Sequence, residues 1–478
     1  MLYLLQIISS RISKKSISEI IFTAVSDFGG VYIKLIQFVC LRTNILTEKD
    51  KLRFLSFYDN VAIEPMPIRQ ILTSELGDVK LSQFHSINPE PFASGTFGQV
   101  YKAQLVDGVD VVIKVKRPNL VRKLRYDFGL LKVFTKIFDF LVEQKMIDLE
   151  ATLSEFEKST YQELDYWQEA QNADYFYKTM RNHPRIYIPK TFLDLCTKTI
   201  LVQEYIGGIA VTDLIRYNTQ HPGVYQDWLR KNYQTDPYVL FPSIAYDIAI
   251  QGLIQGRFYA DPHPGNIKIL PDNRYAYIDF GIIGDSPDNR LLYYDVLSSF
   301  SKKAAQMDME KIGNSFLEWG AANFLEQIHT FDEYFSDENH SLREMILGKY
   351  KSLLESKRDK FRQFDEEENF LQVCFDIVAS GSILNVKVPK KFLTSLKTMI
   401  VFKSWVSYLE PGFHFMRNTY KRILEDVHPA QLLSKKEEIV TNPEVSLEFI
   451  LEWAENMAEK DLPFQQKIDK QLMPNLYV

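Results

Sequence analysis

Polar side chains near the middle of the chain are spaced for chemistry on a phosphate group. Asp261 and Asn266 are the first and last residues of the segment D-P-H-P-G-N, and Asp279 follows Asn266 by thirteen residues and opens the segment D-F-G. Amide and carboxylate oxygens are hard ligands that suit Mg²⁺, and one Asn with one Asp leaves coordination positions open for phosphate oxygens. A positioned carboxylate such as that of Asp261 can orient a hydroxyl group and take up its proton. An ordinary surface loop with caps and turns is the alternative for either segment alone.

A glycine-containing turn and a strand lysine precede these segments. The stretch A-S-G-T-F-G-Q-V at 93–100 is rich in small residues, which let backbone N–H groups approach phosphate oxygens. Lys114 follows Gly98 by sixteen residues in V-V-I-K, and on a strand it shares a face with Val112 while Ile113 points the other way. A plain hairpin turn and a solvent-facing lysine are the alternatives for the two features taken alone. Their combination favours a nucleotide-binding site.

Hydrophobic periodicity predicts the elements that must position these residues. The sequence has a helical pattern over 1–88, which changes around Pro89 and Pro91. Runs rich in Val, Phe and Ile then indicate strands, and a turn at Asp107 and Gly108 joins the first two. The predicted helical segments are 17–41, 52–76 and 120–176, with mostly helical sequence again from 237, and the predicted strands are 96–101, 109–115 and 199–205.

In their order along the chain, these segments resemble the nucleotide loop, strand lysine, catalytic loop and metal-binding motif of protein kinases. The resemblance implies that Lys114 neutralises the α- and β-phosphates and that Asp261 orients the accepting hydroxyl. It also implies that Asn266 and Asp279 hold Mg²⁺. The segment Q-E-Y at 203–205 resembles the hinge whose backbone groups bind the adenine edge, although a buried strand end would give much the same sequence. The residues expected at the nucleotide are Ala93, Ser94, Gly95, Thr96, Phe97, Gly98, Val100, Lys114, Glu204 and Tyr205.

The full set of motifs resembles the UbiB (AarF-like) atypical kinases, a family linked to ubiquinone and other prenyl-lipid metabolism. The matching stretches between 27 and 284 are P-F-A-S-G-T-F-G-Q-V, K-V-K-R-P, E-L-D-Y-W-Q-E-A, L-V-Q-E-Y, A-D-P-H-P-G-N and I-D-F-G. The resemblance implies that Glu169 pairs with Lys114, since a lysine among phosphates needs a carboxylate to hold its side chain. It also assigns Glu163 and Asp165 to the family's E-x-D motif. A plain helix surface is the alternative for Glu163, Tyr166 and Gln168, and for Glu169 taken alone.

A further stretch, F-G-G-V-Y-I-K-L-I-Q at 28–37, resembles the family's K-x-G-Q helix, which covers the site and restrains phosphate transfer. Lys34 and Gln37 are then the regulatory residues, together with the E-x-D carboxylates. Ile36 stands where the family has Gly, and its bulk predicts a looser cover. Gly95 is a second departure, because the family's loop is rich in alanine. No A-P-E segment follows D-F-G, so the usual peptide-binding platform of kinases is not expected.

Composition narrows the remaining classes. The chain has 478 residues, 46% apolar and 25% charged, which is ordinary for a globular protein. A formal net charge of −6 does not favour a nucleic-acid binder. Three cysteines without a C-x-x-C pair favour a reducing compartment, so a cytoplasmic location is expected. The apolar window 238–256 is interrupted by Pro242 and Asp247, which predicts a buried helix rather than a membrane span; attachment to a membrane surface stays open.

The predicted fold is α+β, a two-lobed protein-kinase-like fold with helical N-terminal and C-terminal extensions. Its predicted domains are a helical extension at 1–88, an N-lobe with inserted helices at 89–206, a C-lobe at 207–330 and a helical extension at 331–478. The predicted function is a kinase-like ATPase or phosphotransferase that uses ATP and Mg²⁺ in isoprenoid-quinone or other lipid metabolism. The expected partners are the nucleotide, lipid or isoprenoid-quinone intermediates and a membrane surface.

Two other functions fit the same residues. Asp261 and His263 match the D-x-H-x-x-N loop of aminoglycoside-type phosphotransferases, in which the His is mainly structural, so a small-molecule phosphotransferase is one alternative. A nucleotide-binding scaffold that handles lipid intermediates without turnover is the other. The sequence names neither the phosphoryl acceptor nor the oligomeric state.

Overall fold

The computed structural model describes residues 31–32, 35, 66–141, 149–286, 294, 390–413, 419 and 421–428 of the chain. The chain divides into two compact units, one made of Met1–Gly207 with Ala276–Gly281 and the other of Gly208–Tyr275 with Ile282–Val478. The elements of the first unit are α1 (Ile68–Leu81), β1 (Phe84–Ser94), β2 (Gly98–Leu105), β3 (Asp110–Lys116), α2 (Leu120–Leu141), α3 (Leu149–Glu163), α4 (Tyr166–Met180), β4 (Ile186–Tyr187) and β5 (Ile200–Glu204).

The second unit is mainly helical and contains short strands. Its elements are β6 (Ile209–Ala210), α5 (Val211–Gln220), α6 (Tyr225–Tyr233), α7 (Pro237–Ile250), β7 (Arg257–Tyr259), β8 (Ile267–Leu270), the start of β9 (Arg274–Tyr277), β10 (Ile283–Asp285), α8 (Lys390–Leu409) and α9 (Lys421–Asp426). A single π-helical turn, Gln251–Gln255, extends α7 and ends at Gly256, whose φ of 78° places it in the left-handed region. The chain then enters β7, which pairs antiparallel with β10.

An antiparallel sheet with strand order β1-β2-β3-β5 organises the first unit. Along β3, Val111, Ile113 and Val115 are fully buried in a hydrophobic cluster that also takes in the buried side of α1. Lys114 lies between two of them and therefore points to the opposite face of the sheet. The alternation that builds the core thus also directs the strand lysine away from it.

Two parts of the secondary structure differ from the sequence expectation. The helical pattern predicted through residue 88 stops earlier, because α1 ends at Leu81 and β1 begins at Phe84. Phe84 is buried in the same cluster as β3, so packing against the sheet outweighs the local periodicity. The sequence from 237 was expected to be mostly helical, yet it holds β7, β8, β9 and β10. These strands are three or four residues long, too short for a period of two to be visible.

One apolar helical run lies in the second unit. Within the described residues, Pro237–Gln255 is long and apolar enough to cross a membrane, and 67% of its most apolar window is buried. A helix in the core of a protein also has this length, composition and burial. A buried helix is the interpretation that the sequence favoured for this segment.

At Gly98 the backbone lies so close to Val115 and Tyr166 that a side chain there should destabilise the fold. A Cβ atom at Gly98 would lie 2.6 Å from the carbonyl oxygen of Val115 and closer still to the hydroxyl of Tyr166. Both neighbours are buried, so we expect Gly98→Ala to lower the free energy of unfolding by about 1–3 kcal/mol, as overpacking does. Gly95→Ala is the matched control, because its new Cβ would meet nothing nearer than the Gly98 carbonyl oxygen at 3.8 Å. Chemical denaturation measures both, and equal losses would contradict the steric argument.

Candidate active site

The ammonium group of Lys114 is held between two carboxylates in the first unit. Its Nζ lies 2.9 Å from both carboxylate oxygens of Glu169 and 3.0 Å from Oδ2 of Asp279. Glu169 is almost completely buried, at 2% exposure, whereas Asp279 is 34% exposed. The strand lysine, the helix carboxylate and the D-F-G carboxylate therefore form one connected polar group.

Helix α4 carries Glu169 and also holds the D-F-G segment that contains Asp279. Asp165 caps its N-terminus by accepting hydrogen bonds from the backbone N–H groups of Trp167 and Gln168. Glu169 follows in the first turn and points inward, and Asn172, three residues later, donates from Nδ2 to the backbone oxygen of Phe280 at 2.9 Å. One face of α4 thus holds both the lysine and the D-F-G segment.

Packing and a turn complete the support of the D-F-G segment. The ring of Phe280 packs on Phe176 of α4, with a centroid separation of 5.4 Å. The N–H of Gly281 donates to Oδ1 of Asp279 at 2.9 Å. Because Oδ1 is bound to the backbone and Oδ2 to Lys114, both oxygens of the Asp279 carboxylate have fixed directions.

The charges in this group are unbalanced, because two carboxylates face one ammonium. Burial raises the pKa of Glu169, the nearby charge of Asp279 raises it further, and Lys114 only partly offsets them, so the pKa of Glu169 is about 7. Burial alone would lower the pKa of Lys114, but Asp279 and Glu169 raise it well above its usual range. The ammonium is therefore permanently charged, and the excess negative charge is shared by the carboxylates.

Tyr166 is a site residue that the sequence did not single out. Its ring lies 5.0 Å from Nζ of Lys114 and 5.5 Å from Nζ of Lys116, measured to the centroid, so it interacts with both cations. Its hydroxyl approaches the backbone at Gly98, and burial raises the pKa of this hydroxyl above its usual range. The sequence allowed Tyr166 to be plain helix surface; its place directly after the capping Asp165 was the available signal.

The glycine-containing turn at 93–100 is held by internal contacts. The N–H of Gly95 donates to the carbonyl oxygen of Gly98 at 2.8 Å, and Nη2 of Arg117 donates to Oγ of Ser94 at 2.9 Å. Phe97 is only 7% exposed and packs in a hydrophobic cluster with α2 and α3. The Phe97 side chain therefore belongs to the core, and only its backbone remains a candidate for contact with the nucleotide. Thr96 and Val100 are partly buried on the same turn and strand.

The segment expected to act as a hinge uses its amide groups within the protein. The N–H of Glu204 donates to the carbonyl oxygen of Lys190 and that of Tyr205 to the carbonyl oxygen of Asp110, both at 2.9 Å. The Glu204 carboxylate accepts hydrogen bonds from the Tyr187 hydroxyl and the Lys190 N–H. Because both N–H groups are used in this way, the carbonyl oxygens of Glu204 and Tyr205 are the backbone atoms left to contact an adenine edge.

The segment D-P-H-P-G-N folds as a tight loop in the second unit. Nδ2 of Asn266 donates to Oδ2 of Asp261 at 3.0 Å and also reaches the Asp261 carbonyl oxygen at 3.3 Å. Nδ1 of His263 accepts from the N–H of Gly265 at 3.2 Å, a structural role of the kind expected for this histidine. Since the amide nitrogen of Asn266 faces Asp261, Oδ1 is the atom of this side chain that suits a hard cation.

Some predicted site residues are only partly accounted for. Lys34, Ile36 and Gln37 lie outside the described residues. Of the E-x-D pair, Asp165 is the helix cap of α4, and Glu163 is the last residue of α3. In the part of the chain that the structure describes, no group of three or more His, Cys, Asp or Glu residues could hold a metal ion alone. A metal bound to Asp279 would therefore need further ligands, such as the phosphate oxygens of a nucleotide.

A sheet lysine paired with a helix carboxylate and with the Asp of D-F-G, in a chain that also carries a D-x-x-x-x-N loop, defines a protein of the kinase-like class. The chain belongs to the ABC1 atypical kinase-like domain family, whose model matches residues 58–315. The mixed helix-and-sheet fold with a kinase-like domain and the resemblance to the UbiB (AarF-like) family are both confirmed by this match and by the relatives.

Named relatives are similar to more than half of this chain. "Probable protein kinase UbiB" of Azotobacter vinelandii is 31% identical over 300 residues, which is 60% of this chain and 53% of that protein. "Protein ACTIVITY OF BC1 COMPLEX KINASE 1, chloroplastic" of Arabidopsis thaliana is 27% identical over 419 residues, 84% of this chain and 55% of that protein. The chain spans about half the length of the curated relatives it matches. A solved structure, "The complex structure of Rv3197-erythromycin from Mycobacterium tuberculosis", shares 20% identity, covers 90% of this chain and 97% of that one, and has a TM-score of 0.47.

The raised pKa of Glu169 predicts a pH dependence of stability. Because this pKa is higher in the folded than in the unfolded chain, the folded state binds the extra proton between about pH 4.5 and about pH 7. The stabilising contribution is complete below about pH 4.5 and is lost as the pH rises through about 7. Chemical denaturation of the protein without nucleotide, in the presence of a chelator, should show the free energy of unfolding falling across this window.

Substitution identifies the group responsible. Glu169→Gln should flatten the pH dependence in that window, because an amide does not titrate. Glu157→Gln is the control, since Glu157 is a partly exposed helix carboxylate paired with Lys132. A wild-type slope retained in Glu169→Gln would show that another group titrates.

Proposed function

We propose that this protein is a Mg²⁺- and ATP-dependent enzyme of the kinase type. The observation that carries the proposal is the group formed by Lys114, Glu169 and Asp279, in which one strand cation is held by two carboxylates. A lysine fixed in this way is ready to bind phosphate oxygens without first having to order its side chain. Core packing alone does not require such a group, because apolar side chains of similar volume would fill the space without the cost of taking charges out of water.

Each residue has a distinct role in this proposal. Lys114 binds the α- and β-phosphates, and Glu169 keeps its ammonium directed toward them. Asp279 is the more exposed carboxylate and supplies an oxygen ligand to Mg²⁺. Asn266 supplies a neutral oxygen, which adds a ligand without adding negative charge. The bound Mg²⁺ would neutralise the charge of the phosphates and of the transferred group.

Asp261 is the residue proposed to act on the attacking group. Asn266 fixes one of its carboxylate oxygens, Oδ2, by a hydrogen bond of 3.0 Å. The other oxygen, Oδ1, is then the one to accept a hydrogen bond from an incoming hydroxyl or water. Through this contact the Asp261 carboxylate orients the nucleophile in line with the phosphate and receives the proton of the nucleophile.

The adenine edge is proposed to meet the end of β5. The N–H of Glu204 already donates to the carbonyl oxygen of Lys190, so it is the carbonyl oxygen of Glu204 that is proposed to accept from the exocyclic amine of adenine. The backbone at 93–100 is proposed to cover the phosphates. The N–H of Gly95 does not take part, because it donates to the carbonyl oxygen of Gly98.

A place in isoprenoid-quinone or other lipid metabolism is the physiological part of the proposal, and it is supported by the similarity to proteins called UbiB. Quinone precursors should accumulate in cells that lack the protein, and the wild-type gene should restore them to normal. A gene encoding Asp279→Asn should fail to do so. An unchanged precursor profile would contradict the pathway and leave the proposed enzyme class standing.

Loss of either metal ligand should weaken Mg-ATP binding. We expect Asp279→Asn and Asn266→Ala to lower the affinity by at least about 10–100-fold, since losing even an outer contact to a metal site has an effect of that size. Calorimetric titration with Mg-ATP is the measurement. Asp227→Asn is the control, because Asp227 is an exposed carboxylate paired with Arg230. Wild-type affinity in both test variants would refute the metal assignment.

Loss of the Asp261 carboxylate should act on turnover. Asp261→Asn keeps an oxygen that can accept from Asn266, so nucleotide affinity should stay close to that of the wild type. Turnover should fall by about 10²–10⁴-fold, because the contact matters mainly in the transition state. Phosphate release, measured with and without lipid vesicles, gives the rate. If the wild type binds Mg-ATP but never turns it over, the protein is a nucleotide-binding scaffold.

A further inference from the structure

Helix α8 is bonded to the backbone on both sides of Asp261. Nε1 of Trp405 donates to the carbonyl oxygen of Pro262 at 2.8 Å, and Oγ1 of Thr398 lies 2.9 Å from the carbonyl oxygen of Ala260. Both side chains are buried, at 4% and 2% exposure. The residues immediately before and after the proposed catalytic carboxylate are therefore tied to one helix of the second unit.

The sequence of α8 explains how a single helix reaches both carbonyls. Trp405 follows Thr398 by seven residues, which is two helical turns, so the two side chains project from one face. Phe402 lies between them on the same buried face, and the Trp405 ring packs edge-on against Phe402 and against Phe241 of α7, at 5.0 and 5.5 Å. Both aromatic neighbours fix the indole ring and hence the direction of its N–H.

The two hydrogen bonds are not equivalent. The indole of Trp405 is a donor only, and the Pro262 carbonyl is the partner it reaches. The hydroxyl of Thr398 has one proton and lies close to two acceptors, the carbonyl oxygens of Ala260 at 2.9 Å and of Thr394 at 2.8 Å. Trp405 is therefore the stronger of the two anchors, because its proton is not shared.

A third contact fixes the carbonyl between them. The oxygen of Asp261 accepts from the N–H of His263 at 2.7 Å and from Nδ2 of Asn266. Three consecutive carbonyl groups, those of residues 260, 261 and 262, thus have donors, two of them from α8 and the middle one from the loop itself.

We infer that α8, through Trp405 and to a lesser extent Thr398, is a positioning element for Asp261. Packing alone would be satisfied by Phe at 405, whereas the indole N–H adds a bond directed at the residue next to the proposed catalytic carboxylate. This helix lies at Lys390–Leu409, outside the 58–315 region that matches the family model. The proposed machinery of phosphate transfer thus includes a helix that lies C-terminal to the residues matched by the family model. The inference rests on the proposed function of Asp261.

The test uses the full chain with Trp405→Phe, which keeps an aromatic ring and removes the donor. We expect kcat for Mg-ATP turnover to fall by about 10–100-fold, as small misplacement of a catalytic group does, with the affinity for Mg-ATP unchanged. Thr398→Val should lower kcat by a smaller factor, and Thr398→Ser should restore it. Hydrogen exchange of the backbone over 257–270 should become faster in Trp405→Phe, which reports the loop independently of activity.

Tyr225→Phe is the matched control. The Tyr225 hydroxyl also makes buried hydrogen bonds at the end of α8, to the Glu410 carboxylate and to the carbonyl oxygen of Leu409, but none of its hydrogen bonds within the described residues goes to the loop at 260–262. It should leave kcat and the exchange of 257–270 unchanged. An equal loss of kcat in Tyr225→Phe would show that only the stability of α8 matters and would overturn the inference.

Two further results would test the positioning role of α8. Unchanged exchange in Trp405→Phe, or faster exchange with a wild-type kcat, would each overturn the positioning role. If the wild type binds Mg-ATP without turnover, the proposed function fails, and exchange alone then decides whether α8 restrains the loop.

Discussion

The ammonium of Lys114 is the charge around which the first unit is arranged. A largely buried cation needs nearby counter-charges, and for Lys114 they come from Glu169 on α4 and Asp279 in the D-F-G segment. The lysine can be there because its neighbours on β3 fill the core on the other face of the sheet. A shift of one residue in the register of β3 would bury Lys114 in that core and expose its apolar neighbours, so register and site are fixed by the same alternation.

The charge imbalance of the group fits what the proposed site would bind. One ammonium and two carboxylates leave a net negative charge, which a proton on Glu169 reduces at low pH. A divalent cation would remove the same excess at neutral pH, and phosphate oxygens would then become the partners of Lys114.

The sequence allowed the pairing of Lys114 with Glu169 to be predicted better than its surroundings. The resemblance to the family implied this pairing, through motifs whose residue types phosphate chemistry restricts. By contrast, Phe97 was expected at the nucleotide and its ring lies in the core, because a phenylalanine fits either place and only packing decides. The short strands β7 to β10 were missed because three or four residues carry too little periodicity. The anchoring of Asp261 by Trp405 joins residues more than a hundred positions apart, and no local pattern indicates such a contact.

The burial of Phe97 has a consequence for how the phosphate-binding turn is controlled. The cluster that holds its ring contains Leu124 and Phe128 of α2, Phe156 of α3 and also Val31 near the N-terminus. Arg117, at the start of the connection to α2, bonds to Ser94 and to the carbonyl oxygen of Phe97. The turn at 93–100 is thus linked to the helices by packing and by hydrogen bonds at the same time. A change in the packing of those helices would therefore move the turn directly, because a close-packed cluster transmits displacement. Val31 is in this way linked to the turn at 93–100 through the same cluster.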